Sequence, residues 1–193
     1  MKNVCVYCGS SPGRQPTYAD AANSLGRLLA EREIGLIYGG ARVGIMGMVA
    51  DAVLAHGGRA VGVIPESLMQ KELAHQGLAE LHVTTSMHER KMMMADLSDG
   101  FIAMPGGVGT LEEIFEAWTW AQLGFHRKPC GLLNVAGYYD HLSVFLDHTV
   151  TEQFVRERHR GQLMVETDPA TLLDRFIGYK PTAMPKWIDR DQT

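Results

Sequence analysis

The 193-residue sequence is short of several things, and each shortage narrows what the protein does. It holds only 3 cysteines, Cys5, Cys8 and Cys130, an odd and small number that argues against a disulfide framework. No stretch approaches the roughly 18 consecutive apolar residues of a membrane span. The apolar run after Met1, Lys2 and Asn3 is too short for a secretory signal, so a cytoplasmic location is expected. Cationic charge is scarce as well. The 18 Lys and Arg stand against 22 Asp and Glu, a net charge of -4, which lacks the basic excess of a nucleic-acid surface. The 8 histidines show no zinc-type spacing with further ligands nearby, so no metal site is expected.

What remains has the composition of an ordinary globular domain, 46% hydrophobic and 21% charged. One domain over residues 1–180 is expected, with a polar tail at 181–193 and no internal repeat or linker. Short β-rich runs predict strands at 4–7, 35–38, 59–64, 81–83, 101–104, 131–134 and 163–165. Amphipathic stretches between them predict helices at 18–32, 46–56, 87–98, 110–123 and 139–152, and Asp168-Pro169 opens a last one with a cap and a first-turn proline. Residues 65–77 read as an excursion, partly helical. Strands of near-continuous hydrophobicity, each followed by a helix, imply an α/β, Rossmann-like doubly wound parallel sheet with helices on both faces. Cys5 and Cys8 have C-x-x-C spacing but close a strand, where residues three apart face opposite ways, so plain burial is expected rather than redox chemistry.

Three strand ends turn glycine-rich: Cys8-Gly9-Ser10-Ser11, Gly39-Gly40 running to Gly44-Ile45-Met46-Gly47, and Pro105-Gly106-Gly107-Val108-Gly109-Thr110. In open parallel sheets, ligands bind beyond the carboxyl ends of the strands, so three such turns suggest one shared crevice. The third turn is the most specific. Glycines let backbone approach an anion, and the helix start supplies unpaired N–H groups and a positive dipole end, which together make a phosphate site. Thr110 caps that helix, donates its hydroxyl to a phosphate, or both; as a cap alone it would form a capping box with Glu113. The second turn is not a strict G-x-G-x-x-G, and the following strand ends in Val63-Ile64-Pro65 without a ribose-holding acid, which disfavours a nicotinamide cofactor.

Charged side chains near the crevice complete the list. Arg90, early in a Met-rich helix, could contact a phosphate or a base, or belong to a solvated face. Glu72 stands in the excursion. Glu112 and Glu113 are adjacent on a helix and so about 100° apart, so one of them faces the crevice. The run Met92-Met93-Met94 reads as core filler.

These residues together resemble one family. Pro105 to Glu113 matches a PGGxGTxxE signature. Cys8-Gly9-Ser10-Ser11, Tyr38-Gly39-Gly40 with Gly44-Ile45-Met46-Gly47, Met87 to Lys91, Trp120 to Gly124, Lys128-Pro129 and Gly131 to Asn134 follow the same family's blocks in order. The family is the "lonely guy" (LOG) group of cytokinin riboside 5′-monophosphate phosphoribohydrolases, long mislabelled as lysine decarboxylases. The resemblance spans residues 3–178. It implies hydrolysis of the N-glycosidic bond of an N6-substituted adenosine 5′-monophosphate, giving free base and ribose 5-phosphate, without a cofactor. It implies nucleotide contacts from Glu72, Arg90, Lys91, the turn Gly107, Val108, Gly109, Thr110, Leu111, Glu112 and Glu113, and Thr119. Gly9, Ser10, Gly39, Gly40, Gly44, Met46 and Gly106 join them from the matched glycine turns. Arg90 and Glu113 match the pair regarded as catalytic. Val108 departs from the tyrosine often found there, which leaves the backbone chemistry of the turn intact. The resemblance further implies a homodimer joined near the helix that carries Trp118, Thr119 and Trp120.

A ribosyl bond breaks through an oxocarbenium-like state, so a carboxylate beside the sugar is the logical stabiliser. Glu113 takes that role here, and could also hold ribose hydroxyls, assist water or attack the sugar carbon. Three other readings compete: a general AMP nucleosidase, a nucleotide-binding or carrier module without catalysis, and a pyridoxal-phosphate lysine decarboxylase. The last needs a Schiff-base lysine and a cofactor constellation for which Lys91 and Lys128 are the poor candidates.

Overall fold

The computed structural model describes residues 1–69, 74–78 and 80–181. Strands and helices alternate along them. The strands are β1 (Asn3–Tyr7), β2 (Gly35–Tyr38), β3 (Ala60–Pro65), β4 (Glu80–Thr84), β5 (Phe101–Ala103), β6 (Cys130–Leu133) and β7 (Leu163–Glu166). The helices are α1 (Pro16–Glu31), α2 (Gly44–Ala55), α3 (Glu66–Met69), α4 (Met87–Asp96), α5 (Val108–Leu123), α6 (Asp140–Thr151), α7 (Glu157–Arg160) and α8 (Pro169–Ile177). A short 3₁₀ turn, Val135–Gly137, follows β6.

All the strands pair in parallel in one sheet of order β4-β3-β2-β1-β5-β6-β7. The expected doubly wound fold is therefore present. Successive side chains of each strand point to opposite faces. Val4 and Val6 of β1 pack with Leu25 and Leu29 of α1, Val49 and Val53 of α2, and Leu172 and Phe176 of α8. Cys5 and Tyr7 of the same strand pack on the other face with Met94 of α4, Ile114 and Trp118 of α5, and Leu146 of α6. Cys5 and Cys8 thus sit in different cores, both as buried free thiols. Each fully buried aliphatic or aromatic side chain contributes about 1.5–3 kcal/mol.

Helix ends follow local chemistry. Ser86 caps α4 by accepting from Glu89 N at 3.1 Å, and Glu89 reaches back to Thr85 N and Oγ1 at 2.7 Å each. Asp168 caps α8 as expected, accepting from Thr171 N at 2.8 Å. Gly124 ends α5 in the left-handed region with φ 82°. Most expected boundaries shift by one or two residues, and two starts change meaning. Helix α2 begins at Gly44, not Met46. Helix α5 begins at Val108, with Gly107 as its N-cap and no capping side chain. Thr110 is then the third helical residue and buried, and the capping box with Glu113 does not form. An extended Gly107 backbone starts this helix by itself.

The sheet winds outward from β1 to β4 and then returns to place β5 beside β1. That reversal opens a crevice beyond the carboxyl ends of β1 and β5. Among the described residues no helix is long and apolar enough to cross a membrane.

Candidate active site

The three glycine turns meet at the β1/β5 crevice. Gly9 N donates to Pro105 O at 3.1 Å, which ties the first turn to the third. Met46 N donates to Gly9 O at 3.4 Å, which ties the second to the first. Gly44 has φ 57°, and a Cβ there would run into the Ser10 backbone, so no other residue fits that contact without strain. Two tyrosines just after β6 clamp the third turn from behind. Tyr138 Oη donates to Gly106 O at 2.5 Å, and Tyr139 Oη to Met104 O at 2.7 Å.

A cavity of about 360 Å³ occupies the crevice. Gly9 and Ser10, Gly39 and Met46, and Gly107, Val108, Gly109 and Thr110 line it, with Arg90 and Glu113. The N–H groups of Val108, Gly109 and Thr110 precede the first full turn of α5, so the helix offers them no carbonyl. A smaller cavity of about 290 Å³ adjoins through Gly9, Ser10 and Gly107 and is walled by Pro105, Gly106, Tyr18 and Tyr138.

Arg90 and Glu113 pair in the lining of the larger of these two cavities. Arg90 Nη1 donates to Glu113 Oε1 at 2.8 Å, and Arg90 Nε donates to Val63 O at 3.1 Å. Each side chain is only 11% exposed, so Arg90 does not lie on a solvated helix face. A Cβ on Gly39 would approach Arg90 Nη2 to 2.5 Å, so glycine leaves room for the guanidinium. Burial pushes the Glu113 carboxyl above its usual value, and the Arg90 cation opposes without cancelling that rise. The carboxyl is thus poised between its two protonation states at higher pH than an exposed glutamate. Around it, burial also pushes Cys5, Tyr7 and Cys8 up, so these groups stay neutral at neutral pH.

Several expected site residues lie elsewhere. Lys91 does not line the cavity; its Nζ sits 2.5 Å from Glu112 Oε1 and 3.0 Å from Glu116 Oε2. Glu112 therefore points along the outside of α5 while Glu113 points in, as their angular offset on the helix requires. Leu111 packs against the α5-side core, and Thr119 is exposed on α5 away from the cavity lining. Gly40 and Gly44 support the second turn without lining either cavity. Glu72 lies outside the described residues. Trp118 belongs to the core, 3% exposed, with Nε1 donating to His159 O at 2.9 Å, whereas Trp120 is only partly covered.

The structure also adds lining residues that the sequence reading missed: Val6, Tyr7, Cys8, Leu68, Met87 and Met94. Met87 and Met94 fall three before and four after Arg90, which is helical spacing for one face and the signal that could have found them. Of the run expected as core filler, Met94 is fully buried and also walls the cavity, Met93 is partly buried, and Met92 is exposed.

Comparison with known proteins bears on this arrangement. The profile of a family described as "Possible lysine decarboxylase" matches residues 46–176. The chain is 52% identical over 181 residues to the cytokinin riboside 5′-monophosphate phosphoribohydrolase LOG of Oryza sativa subsp. japonica, covering 94% of this chain and 75% of that protein. It is 51% identical over 168 residues to the cytokinin riboside 5′-monophosphate phosphoribohydrolase of Rhodococcoides fascians, covering 86% of this chain and 85% of that one. The chain belongs to the LOG family of phosphoribohydrolases. The solved structure of TM1055 is similar in fold, with a TM-score of 0.70 at 24% identity over 93% of this chain and all of that one. The LOG motif residues 105–113 therefore form the β5–α5 turn and the first turns of α5, with Glu113 the one carboxylate of the motif that enters the cavity.

Proposed function

We propose that this LOG protein hydrolyses an N6-substituted adenosine 5′-monophosphate to the free base and ribose 5-phosphate, releasing an active cytokinin. The observation that carries the reading is the placement of Glu113, buried and bound to Arg90, in the same cavity as the open N-terminus of α5. The 5′-phosphate sits against Gly107, Val108, Gly109 and Thr110, where N–H groups and the helix dipole attract an anion. Ser10 and Gly9 close that end. The ribose lies against Glu113. Glu72 and Thr119 are the further ligands that the family resemblance supplies.

The reaction breaks the bond from the sugar C1′ to the base nitrogen. The bond pair leaves with the base, and positive charge spreads over C1′ and the ring oxygen. The Glu113 carboxylate, only 11% exposed, stabilises that charge. A water oxygen then bonds to C1′, and its proton goes to the base. Arg90 holds the carboxylate in place through Nη1 while Val63 O fixes the guanidinium, and its charge favours the electron-rich leaving base. Arginine holds its proton too tightly to serve as the acid. Binding the phosphate, remote from the broken bond, supplies orientation. The apolar wall of Met46, Leu68, Met87 and Met94 suits a base with an apolar N6 group.

The protein acts in the cytoplasm as one catalytic unit over residues 1–180 and as a homodimer. Exposed apolar side chains at the end of α5, Leu123 and Phe125, support a second copy docking beside Thr119 and Trp120. A pyridoxal-phosphate decarboxylase is disfavoured by the lysines. Among the described residues no lysine lines the cavity, and Lys128 Nζ donates to Ala95 O at 2.7 Å instead.

The test is to incubate the purified protein with isopentenyl-AMP, AMP and the corresponding ribosides and to measure free base by chromatography. Base is expected from isopentenyl-AMP, with the riboside lacking phosphate at least about a hundredfold poorer, since the remote phosphate contacts would be lost. AMP cleaved faster than isopentenyl-AMP would make the protein a general nucleosidase. No base from any substrate would leave a binding or carrier protein.

A further inference from the structure

We propose that Tyr138 is a positioning residue for phosphate binding: its phenol grips the Gly106 carbonyl and thereby turns the Gly107 N–H toward the larger cavity. This rests on the reading of the third turn as the 5′-phosphate site. Tyr138 itself stays outside that cavity.

A trans peptide points its C=O and its N–H in opposite directions, so whatever holds one carbonyl also aims the N–H of the next residue. No peptide among the described residues is cis. Every carbonyl of the turn has a partner. Met104 O accepts from Tyr139 Oη at 2.7 Å and Pro105 O from Gly9 N at 3.1 Å. Gly106 O accepts from Tyr138 Oη at 2.5 Å and Gly107 O from Leu111 N at 3.2 Å. The donors are the reverse. Among the described residues the Gly107 N–H donates to no protein acceptor. Carbonyls tied down on the protein side thus leave N–H groups for an anion on the other.

The Gly106–Gly107 peptide is the one that needs a clamp. It has glycine on either side, so its two opposite orientations are both within reach of the backbone. In the flipped one a carbonyl oxygen, not an N–H, would meet the phosphate. Tyr138 selects the other orientation. It walls the smaller cavity and not the larger, whereas Gly107 lines both. An N–H aimed away from Tyr138 therefore faces the larger cavity.

The phenol is itself well held. Its ring meets Tyr18 edge-on at 5.8 Å and Tyr139 edge-on at 5.0 Å between centroids. Tyr138 N donates to Val135 O at 3.0 Å across a turn in which Ala136 has φ 51° and Gly137 φ 72°. A left-handed alanine is strained, and that strain sits in the turn that aims Tyr138. Tyr139 supplies the contrast. The peptide it holds ends at Pro105, which has no N–H to aim, so its hydroxyl steadies the turn without orienting a donor.

The experiment compares wild type with Tyr138→Phe and Tyr139→Phe, each of which keeps the ring and loses one hydroxyl. Base release from isopentenyl-AMP and from its riboside gives the ratio of the two kcat/KM values. A loss of general integrity lowers both substrates alike and leaves that ratio unmoved. In Tyr138→Phe the ratio should fall about fivefold or more, the weight of one hydrogen bond that chooses between two peptide orientations. Calorimetric affinity for AMP should fall by a similar factor, with little change in the thermal midpoint because the side chain is half exposed. Tyr139→Phe should lower the midpoint and keep the ratio. A ratio and an AMP affinity within about twofold of wild type in Tyr138→Phe would overturn the proposal. An equal fall of the ratio in Tyr139→Phe would overturn it too, since that hydroxyl aims no N–H. Wild-type protein that frees no base from any monophosphate overturns the proposed function instead, and the two AMP affinities then decide the role of Tyr138 by themselves.

Discussion

Replacing Glu113 by glutamine isolates the charge on which the proposed chemistry depends. The amide has nearly the volume of the carboxylate, and its oxygen can still accept from Arg90 Nη1, now found at 2.8 Å from Glu113 Oε1. Arg90 keeps its second anchor, Nε to Val63 O at 3.1 Å, so the guanidinium should hardly move. What disappears is one negative charge in a site where the side chain is 11% exposed. Two unit charges about 4 Å apart attract by about 4 kcal/mol at an effective dielectric of roughly 20. The oxocarbenium charge is partial and the Arg90 cation offsets some of the field, so about 2–4 kcal/mol of transition-state stabilisation should be lost. That converts to roughly a 30- to 1000-fold fall in turnover. Nucleotide affinity should change little, because the proposed phosphate contacts come from the backbone of Gly107 to Thr110. Base release under saturating substrate gives the first quantity and calorimetric titration with a nucleotide the second, with a thermal melt to establish folding. Turnover within about threefold of wild type, well under 1 kcal/mol, would refute the electrostatic role of Glu113.

The pH profile tests the same group without mutation. Burial places the Glu113 carboxyl above the ordinary 4.5 despite Arg90, so kcat/KM should fall as pH drops through a value above 4.5. An acid limb at or below 4.5 would contradict a Glu113 carboxyl held above its ordinary value by burial. The sign for folding runs the other way. The fold favours the neutral carboxyl, so this group's contribution to stability is full below the unfolded value and lost as pH rises through the folded one. Away from the chemistry, Tyr139→Phe removes the buried hydroxyl that donates to Met104 O at 2.7 Å, and should cost about 0.5–1.5 kcal/mol in a denaturant titration. An unchanged midpoint would mean that this clamp on the third turn is not holding it.

The fold was legible because its signals are local. Apolar runs with glycine at their ends marked the strands, and helical spacing marked α1, α2, α4 and α5, since periodicity records which side chains face the core. The short α7 and the 3₁₀ turn after β6 escaped because three or four residues carry no period. Threonine is a good cap, so the sequence points to a start of α5 at Thr110, whereas backbone geometry at Gly107 starts the helix two residues earlier. Trp118 and Trp120 looked alike in sequence, and only packing separated the core side chain from the partly covered one.

By itself the sequence determined the parallel α/β sheet, the family and the glycine turn from Gly106 to Thr110. These follow from residue type and short-range spacing, which need no partner from elsewhere in the chain. It also determined that Glu112 and Glu113 diverge, as neighbours on any helix must. Only the tertiary structure decided which of the two enters the cavity, because that depends on how α5 is rotated against β1 and α4. The same rotation separated Arg90 from Lys91, sending one guanidinium to Glu113 and one ammonium to Glu112 and Glu116. A buried Arg90–Glu113 pair, drawn from residues 23 apart, exists only once two helices are packed side by side.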